Sequence, residues 1–135
     1  MKNLLATITG FIAASFTVYF FETLIGQNLF PLPEGANPMN MEWIKNNMDQ
    51  IPMGSKVFVV IAHFIGIITG MFVAAKISKG SMIPSYIVGA LMLVATFFNI
   101  LILPKELWFT LSDGILVILG FLIGKSFANK QLTPE

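Results

Sequence analysis

Cysteine is absent from this 135-residue chain. Disulfides, thiolate metal sites, haem attachment and cysteine nucleophiles are thereby excluded, and the redox compartment is not legible. Arginine is absent too, since all eight basic residues are lysine, so bidentate clamping of phosphate or carboxylate is not available. Charge of either sign is scarce at 11% of residues, roughly half of what a soluble domain carries. The net charge of +1 gives no reason to expect a nucleic-acid partner. With a single histidine there is no paired-His spacing, and neither a metal nor another cofactor is expected.

Apolar residues are what the chain has in excess, at 56%. They gather in four runs, about 4–25, 57–75, 82–103 and 104–125. Each approaches the ~20 residues with which a helix crosses a bilayer core of about 30 Å. The composition therefore points to an all-α integral membrane protein, an antiparallel four-helix bundle made of two hairpins and forming a single membrane domain over residues 1–135. Lys2 before an apolar stretch also opens a secretory signal. This run, however, continues through Tyr19, Phe20 and Phe21 with no small-x-small site after it, so it is read as a retained span.

Lysine placement sets the expected topology. Lys2, Lys76, Lys79, Lys125 and Lys130 flank one side, whereas Lys45, Lys56 and Lys105 flank the other, where Glu34, Glu42, Asp49 and Glu106 offset them. Positive-inside then places both termini in the cytoplasm. The long outer connection, 26–56, contains a short amphipathic helix over about 38–50, with Asn37 as N-cap and Pro38 in the first turn. Its Met41, Ile44, Met48 and Ile51 recur at helical spacing, which suits a helix lying in the headgroup layer or capping the bundle. Trp43 there and Trp108 in the second outer loop are expected interfacial anchors.

Small residues mark the packing faces. Ala62, Gly66, Gly70 and Ala74 recur every fourth position in the second run, which lets another backbone approach closely in lipid. Ala6, Gly10, Ala13 and Thr17 form a looser face in the first run, Ser85 and Gly89 in the third, and Gly120 and Gly124 in the fourth. Such faces serve intramolecular packing or self-association.

Polar side chains inside the runs are the candidate site. His63, Asp113 and Asn99 fall on the inward faces of three different runs at similar outer depth; Glu22 lies near the same depth, off the small face of the first run. Intramembrane ionisable groups are costly and are read as functional by default. An Asp–His pair with an Asn beside it relays a proton, binds a cation or holds a polar solute group; the structural alternative is interhelical hydrogen bonding that fixes the bundle. Thr110–Leu111–Ser112–Asp113 also has capping-box form, which would start the last helix there and leave it too short to span. A parallel duplication is a further possibility, with the two hairpins related by a twofold along the membrane normal and His63 equivalent to Asp113.

Pro31 and Pro33, the Ile51–Pro52 step, the GIITGMFVAA segment at 66–75 and the LPKELWF turn at 103–109 together resemble a family of small four-helix bacterial inner-membrane proteins with no assigned activity. That resemblance implies a multi-pass protein of the bacterial inner membrane and transfers no site residues. The functions to separate are three. The first is a non-catalytic subunit or assembly factor whose partners are the bilayer and other membrane subunits, or further copies of itself. The second is an oligomeric conduit or carrier for protons, ions or a small polar solute using His63, Asp113, Asn99 and Glu22. The third is a membrane enzyme, for which no nucleophile–base pair or catalytic residue can be named.

Overall fold

The structure is a computed structural model and describes residues 1–104 and 106–132; Lys105, counted above with the outer lysines, lies outside the described residues. In chain order the helices are α1 (Lys2–Leu29), α2 (Met41–Asn46), α3 (Met53–Ser78), α4 (Ile83–Ile102) and α5 (Leu107–Lys130). Four of these, α1, α3, α4 and α5, are long and apolar enough to cross a membrane, so the chain is a small all-helical, multi-pass membrane protein. Its surface agrees. Large apolar side chains such as Leu4, Phe16, Val94, Ile115 and Leu122 point outward, while the buried seams are made of Ala6, Gly10, Ala14, Ala62, Gly66 and Gly70. Only lipid rewards that inversion, because in a bilayer association comes from close backbone approach rather than from hiding large side chains.

The helix ends depart from the apolar runs, for local reasons. α1 continues to Leu29, and Phe30 then leaves helical geometry ahead of Pro31 and Pro33. α3 begins at Met53, directly after Pro52 in extended conformation, rather than at 57. α5 begins at Leu107 rather than 104, since Glu106 takes an extended N-cap conformation. Thr110 to Asp113 thus lie inside α5, and the capping-box alternative is set aside. Between Phe20 and Gly26 α1 widens into a π-helical segment. The outer-loop helix is shorter than 38–50: it runs from Met41 to Asn46, followed by a 3₁₀ turn at Met48–Gln50. Asn40, not Asn37, is the N-cap, its Oδ1 accepting from the backbone N–H groups of Glu42 at 3.0 Å and Trp43 at 3.1 Å. Asn37 Oδ1 instead accepts from Met39 N–H in a preceding turn.

α3 is the hub, with contacts to α1, α4 and α5, and it buries 44% of its apolar window against 17–28% for the other spans. On α1 the buried face is Ala6, Gly10 and Ala14. Ala13 and Thr17, which the sequence suggested, are only half-buried, and the Thr17 hydroxyl donates back to Ala13 O at 2.8 Å. This face runs antiparallel along Gly66, Gly70 and Ala74 of α3. α5 lies along α3 in the opposite sense, with Gly120 against Phe64 and Ile67 and Gly124 against Ile68 and Met71, so these two neighbours are parallel. Successive spans are antiparallel, but the tightest seams do not all follow chain order.

That arrangement excludes the twofold duplication. Such an axis would require α1 and α5 to pack as α3 and α4 do; among the described residues α3 and α4 share a seam, and α1 and α5 do not. The half of the bundle nearest the termini is filled by Ala14, Ile67, Met71, Ala74, Val88, Met92 and Val117, contributed by all four spans. There the buried Ser85 hydroxyl donates to Met71 O and ties α4 to α3.

Candidate functional site: a polar recess at the loop end

The parallel seam between α3 and α5 brings His63 and Asp113 together. His63 Nδ1 lies 2.7 Å from Asp113 Oδ1; Asp113 is fully buried and His63 is 7% exposed. Because an ionised carboxylate only accepts, Nδ1 carries the hydrogen, which in the neutral imidazole leaves Nε2 with an open lone pair. Nε2 has no hydrogen-bond partner among the described residues, yet no buried polar atom there is unsatisfied, so this ring edge stays accessible. Asp113 therefore orients the ring, and the ring presents its far nitrogen to a space.

That space is a recess in two parts. One, about 240 Å³, lies under the long connection between α1 and α3 and is lined by Met41, Trp43, Ile44, Met48 and Ile51 above and by Ser55, Lys56 and His63 below. The other, about 610 Å³, runs between α1 and α4. Both parts share Glu22, Gln27, Pro38, His63 and Asn99. All four candidate side chains thus lie at one end of the bundle: Glu22, His63 and Asn99 on the wall, Asp113 behind the imidazole. Asn99 makes no side-chain hydrogen bond among the described residues. Glu22 reaches the wall although it seemed displaced from the inward face. It sits in the π-helical segment, whose wider turn rotates the side chains after Phe20 away from their α-helical register. Sequence spacing carries no signal for that rotation.

The apolar stripe of the long connection closes the top. Ile44, Met48 and Ile51 pack on Val60 and Phe109, so this segment caps the bundle. Trp43 is half-buried on the recess wall, and Trp108 is half-buried and stacked on Phe109 with ring centroids 5.6 Å apart. A second polar tie, between Lys56 and Glu106, was not read from the sequence. Each follows a proline near the start of its helix, Pro52 and Pro104, which is the signal that could have paired them. Lys56 is buried and donates to the Glu106 carboxylate, and this hydrogen bond, helped by a backbone N–H, holds the Glu106 pKa below the usual range.

Of the packing residues, Gly66, Gly70 and Ala74 face α1, Gly120 and Gly124 face α3, and Gly89 lies against Phe121 and Met71; Ala62 is fully buried. Among the described residues no three His, Asp or Glu side chains converge as metal ligands. Compared with protein-family models, curated proteins and solved structures, the chain matches none of them.

Proposed function

We propose that this chain is a bacterial inner-membrane protein with both termini in the cytoplasm, and that it works without catalysis, as a binding subunit or assembly factor of a larger membrane complex. The observation that carries this reading is the accessible Nε2 of His63, oriented by a buried carboxylate and facing a recess that ends against the packed terminal half. A recess lined by apolar side chains, with a few polar groups converging at one end, is the form of a binding site. The lysine distribution supports the topology, and the loop prolines and LPKELWF turn support the bacterial location.

Conduction through one bundle is disfavoured by the interdigitated Ala14, Ile67, Met71 and Val117 layer below the recess, so a conduit would have to form between copies. Purification of the full chain in mild detergent, with mass spectrometry of whatever co-purifies, tests the subunit role. A stoichiometric membrane partner is the expected result. A homo-oligomer that passes protons or small solutes in proteoliposomes would replace this reading with the conduit.

A further inference from the structure

The larger part of the recess is not a well open only to the outer loops. It is a groove between α1 and α4, and its rims, Ser15 and Tyr19 on one side and Ala95 on the other, are exposed on the lateral surface that lipid covers. α1 and α4 run in the same direction, so the groove has a polar end and an apolar end. Glu22, His63 and Asn99 stand near the loop end, and Phe11, Val18 and Met92 lie toward the middle of the bundle. From Met92 to Asn99, and from Phe11 to Glu22, the walls extend about 10–16 Å along the helices. Among the described residues no lysine borders this part, and Lys56 in the adjoining part is engaged by Glu106.

We infer that the groove takes up a hydroxyl-bearing amphiphile without a negative charge from the membrane, a long-chain alcohol or quinol type of molecule, entering sideways between α1 and α4. The inference deepens the binding role proposed above and rests on it. His63 Nε2, which carries a lone pair in the neutral imidazole, and the amide oxygen of Asn99 accept hydrogen bonds from an O–H group, while the chain lies along Phe11, Val18 and Met92. A phosphate or carboxylate head would stand beside the Glu22 carboxyl and an imidazole already backed by Asp113, and among the described residues no lysine lines this part to receive it; an anion buried that way is disfavoured. A small water-soluble solute would leave the apolar half of the groove unfilled.

The test uses the full chain reconstituted in phosphatidylethanolamine and phosphatidylglycerol vesicles with a photoactivatable hexadecanol, crosslinks being mapped by mass spectrometry. Saturable labelling of α1 and α4 around Phe11 to Tyr19 and Met92 to Ala95 is expected, competed by hexadecanol and at least tenfold less by palmitate. Ala95→Phe, at an exposed rim position, is expected to block the groove, and Asn99→Leu to weaken labelling about fivefold through loss of one hydrogen bond; Leu122→Phe on the lipid face of α5 is expected to leave labelling unchanged. Equal competition by palmitate overturns the exclusion of an anionic headgroup. Competition by glycerol but not by hexadecanol overturns the amphiphile while leaving a binding recess. Labelling that is unsaturable and equal on α5 overturns both.

Discussion

His63 and Asp113 hold each other in a setting where neither is stable alone. Asp113 has no exposure, and removing it leaves the imidazole Nδ1–H facing an apolar side chain. Asp113→Leu is therefore expected to lower stability by about 1–3 kcal/mol, the penalty for a buried unsatisfied donor. The pair His63→Phe with Asp113→Leu is expected to be less damaging than Asp113→Leu alone, because the imidazole Nδ1–H is then not stranded. Unfolding in mixed micelles reads both. The Lys56–Glu106 pair gives the chain an acid sensitivity of different origin. With the Glu106 pKa lowered in the folded protein, its contribution is complete above the ordinary carboxylate value of 4.5 and is lost as pH falls through the lower folded value. Glu106→Gln is expected to flatten the stability profile in that acid window and to leave its shape near neutrality unchanged, as thermal midpoints across pH will show.

At the scale of helices, the α1–α3 seam depends on the absence of side chains. A Cβ at Gly70 would stand 2.7 Å from Ala14 Cβ and 2.9 Å from both Gly10 O and Val88 Cγ1. Gly70→Ala is expected to destabilise by about 1–3 kcal/mol through overpacking. At Gly114 the nearest atoms lie at 3.7 Å, so Gly114→Ala is expected to be neutral or to stabilise by up to about 1 kcal/mol through helix propensity. Paired unfolding curves of the two variants separate packing from propensity. The α3 face Gly66, Gly70 and Ala74 was legible because lipid leaves small residues as the main route to tight helix contact. The same rule placed His63 and Asp113 together, since each lies on the small face of its helix. The position of Glu22 was not legible, because a π segment breaks the constant angle per residue on which helical faces are counted. The outer helix was overextended because Asn37 and Asn40 both have cap chemistry, and only the folded chain shows that Asn40 captures the free N–H groups.

For the whole molecule, span number and the order of successive helices followed from run length, but neighbours did not. Nothing in the four runs states that α3 lies parallel to α5 or that α1 and α5 stay apart; the small faces have no address for their partners. The resulting bundle is unequal along its length, with polar walls and open volume at the loop end and interdigitated small and branched residues at the other. The bundle has a recess at its loop end and is packed closed beneath it. The chain lacks cysteine, so single-cysteine variants report without background. The most direct measurement compares Asn99→Cys, on the recess wall, with Ser85→Cys, fully buried in the packed half, using a membrane-impermeant thiol reagent applied to intact cells. Rapid modification at position 99 from outside, with position 85 inert from either side, is the expected result. Modification at 85 as fast as at 99 would reveal a continuous aqueous path and contradict the account.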